Sequence, residues 1–78
     1  MSLVGLVGWV VTAVPGGTTP GEVSLLVDGR RELYIAYGAL AVERDAEVLV
    51  INKRGIRQVD VEPWSSLPGQ APPAPSGQ

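Results

Sequence analysis

Residues 21–37, GEVSLLVDGRRELYIAY, decide how the rest of the chain is arranged. Two runs rich in Val, Leu, Ile and Tyr flank Asp28-Gly29, a dipeptide that tolerates the positive φ angles of a tight reversal. The stretch therefore reads as a β-hairpin. Its first arm, Gly21–Val27, alternates Val23, Leu25 and Val27 against Glu22, Ser24 and Leu26, which puts the first three on the core face. The second arm, 32–37, is apolar or semi-apolar at nearly every position, so pairing register decides which residues go inside. A four-residue loop over 28–31 sets Leu25 opposite Tyr34 and leaves Leu26, Leu33 and Ile35 outside. A three-residue loop sets Leu25 opposite Leu33 and Val23 opposite Ile35, burying Leu33 and Ile35 instead. Both registers stay open from the residues alone.

Outward from the hairpin, extended segments continue in both directions. Residues 4–14 read as a long first strand, with Gly5 and Gly8 as places where it bends or bulges so that it can serve two halves of a sheet. The segment 15–20, PGGTTP, is a loop, because two Pro and two Gly cannot continue a ladder. One helical turn is expected at 39–42 and a solvated turn at Glu43-Arg44-Asp45. A fourth strand over 46–51 places Val48 and Val50 on one face. The sequence then predicts a reversal over 52–55, with Gly55 left-handed, and a fifth strand over 56–62 in which Val59 and Val61 alternate with Asp60 and Glu62. Pro63 ends that strand, and Trp64 is expected to fold its ring over one end of the core. From residue 65 the composition shifts to Pro, Gly, Ser, Gln and Ala, so 65–78 reads as a flexible tail and 1–64 as the folded domain.

Five short strands with almost no helix describe an all-β fold, a five-stranded Greek-key OB-fold barrel, with an SH3-like barrel as the alternative. At 78 residues the chain holds one domain, and each fully buried Val, Leu or Ile contributes roughly 1.5–3 kcal/mol. With no Cys and no His, the common zinc ligands, the common general base and the thiol nucleophile are all missing. No cofactor or metal is expected. Glu43, Asp45 and Glu47 lie near one another but beside Arg44, as a solvated charge cluster would. Ser24, Ser65 and Ser66 have no His to activate them. Six basic against eight acidic side chains give a net charge of −2, the wrong sign for counterion release from a phosphate backbone. Nucleic acid is accordingly not expected as a partner, although Trp9, Tyr34, Tyr37 and Trp64 with Arg30-Arg31 keep a single-stranded nucleic-acid platform as an alternative. The uncharged run 3–14 is too short for a transmembrane helix.

Taken in order, several pieces together resemble the soluble C-terminal domain of the NfeD-like family. They are the opening Leu3-Val4-Gly5-Leu6-Val7-Gly8, then Pro20-Gly21-Glu22-Val23, Val27-Asp28-Gly29 and Ile35-Ala36-Tyr37, followed by Glu47-Val48-Leu49-Val50-Ile51 and Val59-Asp60-Val61-Glu62-Pro63-Trp64. Two features depart from the family pattern. Glu43-Arg44-Asp45 stands where members often carry Pro-x-Gly, and the hairpin reads as longer than the commonest form, which favours the four-residue loop. The resemblance implies an OB fold that follows transmembrane helices in a bacterial or archaeal membrane protein. Such proteins are implicated in regulating membrane protease activity and act with stomatin- or flotillin-like partners. A non-catalytic protein-interaction module is therefore expected, membrane-associated through helices outside this chain, and open to homo-oligomer formation. Leu26, Leu33 and Ile35, with Tyr37 at the margin, are the candidate interaction patch. A passive structural scaffold is the remaining alternative.

Overall fold

The computed structural model describes residues 2–65. Its five strands are β1 (Val7–Thr12), β2 (Gly21–Val27), β3 (Arg30–Tyr37), β4 (Glu47–Gly55) and β5 (Gln58–Pro63). They close into a barrel in the order β1-β2-β3-β5-β4, with β4 returning to β1. Neighbours pair antiparallel except β3 and β5, which run parallel. A last strand inserted between the third and fourth is the Greek-key order of an OB barrel, which decides between the two expected architectures. The two-residue turns β2–β3 and β4–β5 and the start of β1 share one end, the turn end. The connections 13–20 and 38–46 and the exit of β5 share the other, the loop end.

Eleven buried apolar residues form the core, and eight of them are valine: Val10, Val14, Val23, Val42, Val48, Val50, Val59 and Val61, with Leu25, Tyr34 and Ala36. Valine is stiff at χ1 and packs well on a pleated surface, so it fills a narrow barrel with little rotamer freedom to lose. Val27, expected inside, is half-buried and packs on the cluster from its margin.

The hairpin closes more tightly than either expected register. Val27 pairs with Arg30, leaving Asp28-Gly29 as a two-residue turn, and both residues take positive φ, 51° and 81°, as a type I′ turn requires. Because Asp28 itself accepts the left-handed conformation, Arg30 and Arg31 are free to join the ladder. The result differs from the four-residue register by two positions, so the facing is the same: Tyr34 and Ala36 are inside, Leu26 and Leu33 outside.

Other expectations are corrected locally. β1 is shorter than 4–14: Gly5, at φ 97°, turns the chain before the strand begins. The ladder irregularity falls between Val10 and Thr12, not at Gly8. Gly8 lies buried as the second residue of β1, where an added Cβ would run into the Ser24 carbonyl oxygen and the Leu25 side chain. No helical turn forms over 39–42, because Val42 is drawn into an extended bridge with Val14 through two backbone hydrogen bonds of 2.9 and 2.8 Å. The second reversal moves to Ile56-Arg57: β4 bulges after Val50 and again after Lys53, stays paired through Gly55, and Arg57 takes the left-handed position at φ 58°. The Trp64 amide donates to the Glu47 carbonyl at 3.1 Å. Its ring stays 41% exposed, since Val14, Val42 and Val61 already belong to the packed cluster. The tail expected from residue 65 lies, beyond Ser65, outside the described residues.

The seam between β3, β5 and β4 is fastened from outside by Asp60. It accepts hydrogen bonds from Asn52 Nδ2 at 3.1 Å and Arg54 Nε at 2.7 Å, and the Arg54 guanidinium lies 3.9 Å from the Tyr37 ring centroid. Partial burial works to raise the Asp60 pKa, but the two hydrogen bonds and the Arg54 charge outweigh it and hold the carboxyl below its ordinary value.

Two outcomes follow. Gly8→Ala overpacks the β1–β2 contact and should lower stability by about 2 kcal/mol, read as a fall in the urea midpoint; an unchanged midpoint would contradict the close approach. A depressed folded-state pKa means that Asp60 stabilises the barrel above the unfolded value of about 3.9 and loses that effect as pH falls through the lower folded value. Asp60→Asn should therefore be less stable than the parent at pH 7 and match it in strong acid. A difference that persists at the acid end would contradict the sign.

Candidate interaction surface

The alternation that sends Val23, Leu25, Tyr34 and Ala36 inward sends the intervening residues outward. On the outer face Glu22 stands opposite Ile35, Ser24 opposite Leu33 and Leu26 opposite Arg31. Leu26 and Leu33 are diagonal neighbours, a separation of roughly 7–8 Å, and are 52% and 51% exposed. Ile35 and Tyr37 continue the same row along β3 and are half-buried. The structure thus brings all four candidate patch residues onto one face, with the two leucines most open to solvent. Trp9 of β1 pairs with Ser24 and extends that row, so Trp9, Ser24 and Leu33 run side by side across three strands.

Arginines border this face. The Arg31 guanidinium lies 5.5 Å from the Trp9 ring centroid and reaches Ser24 Oγ at 3.5 Å. Arg57 lies 5.3 Å from the Tyr34 centroid, donates to the Leu33 carbonyl at 3.2 Å and faces Glu32 at 3.6 Å. With Arg54 over Tyr37, three of the four aromatic residues have a guanidinium over the ring, an arrangement worth about 0.5–1 kcal/mol at exposed sites. Tyr34 is in the core as well. The single-stranded nucleic-acid alternative needs open aromatic faces in a basic groove; three of the four rings have the protein's own cations over them, and Arg30 and Arg31, adjacent along β3, point to opposite faces of the hairpin.

The remaining candidates stay apart. Arg44 and Asp45 approach to 3.9 Å in an exposed turn where Asp45 has φ 74°, and Glu43 borders a cleft of about 510 Å³ lined mainly by Ala13, Pro15, Ala41, Val42 and Pro63. Among the described residues no three of His, Cys, Asp and Glu are placed to hold a metal ion. A second hollow of about 320 Å³ touches Tyr37, Arg54 and Asp60, where Arg54 is bonded to Asp60 and lies over the Tyr37 ring. Reading the sequence alone missed the parts played by Arg54 and Arg57, since both fall in or next to the segment taken for the reversal. Once β4 is known to run to Gly55, Asn52 and Arg54 can both be placed beside Asp60.

No helix among the described residues is long and apolar enough to cross a membrane. No curated protein matches the chain. Among solved structures, the chain is similar to the soluble domain of the NfeD protein YuaF from Bacillus subtilis, at 27% identity and a TM-score of 0.72 over 83% of this chain and 77% of that one. It also shares its fold with the C-terminal domain of stomatin operon partner protein 1510-C from Pyrococcus horikoshii, at 23% identity and a TM-score of 0.65 over 82% of this chain and 91% of that one. The sequence profile of the NfeD C-terminal domain matches residues 7–62, from the first residue of β1 to the penultimate residue of β5. The chain belongs to the NfeD C-terminal domain family.

Proposed function

We propose that residues 1–64 form a non-catalytic protein-interaction module that binds a stomatin- or flotillin-like membrane protein through the outer face of the β2–β3 hairpin. In this reading the module belongs to a membrane-anchored protein and takes part in regulating a membrane protease. The observation that carries the proposal is the pair Leu26 and Leu33, half-exposed beside each other on a rigid two-stranded face whose inner side is fully packed. Folding does not need these side chains outside: the alternation that buries Val23, Leu25, Tyr34 and Ala36 is compatible with polar residues at positions 26 and 33. Contiguous exposed apolar surface rimmed by charge is the ordinary character of a contact site, and Arg31 opposite Leu26 and Glu22 opposite Ile35 supply the rim. Membership of the NfeD family, and the name of the Pyrococcus horikoshii fold neighbour as a stomatin operon partner protein, support the choice of partner class.

The test is a titration of the isotopically labelled chain with a purified stomatin-like protein. Amide shifts should concentrate on Leu26, Leu33 and Ile35, and Leu33→Asp should weaken binding at least about tenfold, since burying one leucine contributes roughly 1.5–3 kcal/mol. The same variant should keep the parent's chemical-shift pattern elsewhere and its stability within about 0.5 kcal/mol. Shifts confined to another face, or unchanged affinity of Leu33→Asp, would remove the hairpin face from consideration. Full partner recruitment by a parent protein lacking this domain would favour the passive scaffold.

A further inference from the structure

We infer that the turn end of the barrel is a docking surface for a bilayer containing anionic lipids, with Ile56 entering the boundary between headgroups and acyl chains. Ile56 sits at the tip of the two-residue β4–β5 turn and is 89% exposed, the most exposed large apolar residue among those described. Turn chemistry does not call for it: such positions favour Gly, Asn or Asp, and a β-branched side chain gains nothing there for the fold. It is a convex point without a rim of its own kind, which suits a deformable surface better than a preformed protein groove.

Charge supplies the second, independent observation. Of the six basic side chains, Arg30, Arg31, Lys53, Arg54 and Arg57 belong to the two turns at this end or the strand positions near them, where the acidic residues are Asp28, Glu32 and Asp60, so basic side chains still outnumber acidic ones there. The loop end has the opposite sign, with Glu22, Glu43, Asp45, Glu47 and Glu62 against Arg44 alone. A net charge of −2 would keep a uniformly charged domain away from an anionic membrane. The separation instead turns the molecule, so that its cationic end with the exposed isoleucine meets the surface first. Arg54 and Arg57 are engaged with Asp60 and Glu32. Lys53 and Arg30 have no ion-pair partner among the described residues and are the charges available to headgroups.

Cosedimentation of the full chain with phosphatidylcholine vesicles, with and without phosphatidylglycerol, tests this surface. Retention is expected only with phosphatidylglycerol present and should fall as salt is raised. Ile56→Ser should weaken retention about tenfold through lost apolar burial, and Lys53→Gln roughly fivefold through one lost charge. Leu40→Ser, at a leucine 63% exposed on the loop end, should leave it unchanged. No retention on anionic vesicles at low salt, equal retention on neutral ones, or an equal loss in Leu40→Ser and Ile56→Ser would each overturn the proposal. So would a change in oligomeric state on Ile56→Ser without any vesicle binding, which would assign the tip to a second copy of the chain.

Discussion

Everything in this molecule depends on β1 being hydrogen-bonded along both edges. A chain this short cannot stabilise an open sheet with an unpaired strand on either side, and the closure that removes those edges runs through one six-residue strand, paired to β2 on one side and β4 on the other. β1 and β2 approach there at a distance that leaves no room for a side chain at Gly8. Gly5 acts just ahead of it, turning the chain so that its amide reaches the Val50 carbonyl at 2.8 Å. With the cylinder closed, a predominantly valine interior is enough.

Closure also fixes what the exterior offers. Side chains alternate along each strand, so burying Leu25 and Tyr34 commits Leu26 and Leu33 to solvent, and the two-residue turn at Asp28-Gly29 sets the parity for the entire hairpin. The charges are organised on the same frame. Arg31, Arg54 and Arg57 lie over Trp9, Tyr37 and Tyr34, so three of the six cations are held against the protein's own rings. The exterior is one of contact surfaces: an apolar hairpin face, and a cationic end tipped by Ile56.

Much of this was legible in the sequence because period-two alternation is a strong signal where one face is buried. Gly21–Val27 reads with its observed limits, Val23 and Leu25 read as inward-facing, and Val48 with Val50 and Val59 with Val61 read as sharing a face, which the structure buries in each case. The errors gather where one residue can play two conformational parts. Gly55 reads as the left-handed position because glycine adopts it without strain, whereas the bulges in β4 delay the reversal until Arg57 adopts it. The hairpin loop reads as three or four residues because Arg30 and Arg31 resemble turn residues; they are strand residues, paired with Val27 and Leu26. The outward facing of Leu33 survived that error only because the four-residue register differs from the observed one by an even number of positions. Val42 reads as the end of a helical turn over 39–42, because a single bridge to Val14 has no periodicity to announce it.

The most direct measurement is the set of backbone nuclear Overhauser contacts between strands. The account requires Ala36 beside Val59 across the parallel seam, Gly8 beside Val48 across the closing one, and Val27 beside Arg30 at the hairpin, all in one spectrum. Leu25 found opposite Leu33, or a missing contact between Ala36 and Val59, would contradict it, the first by turning the leucine face inward and the second by opening the barrel.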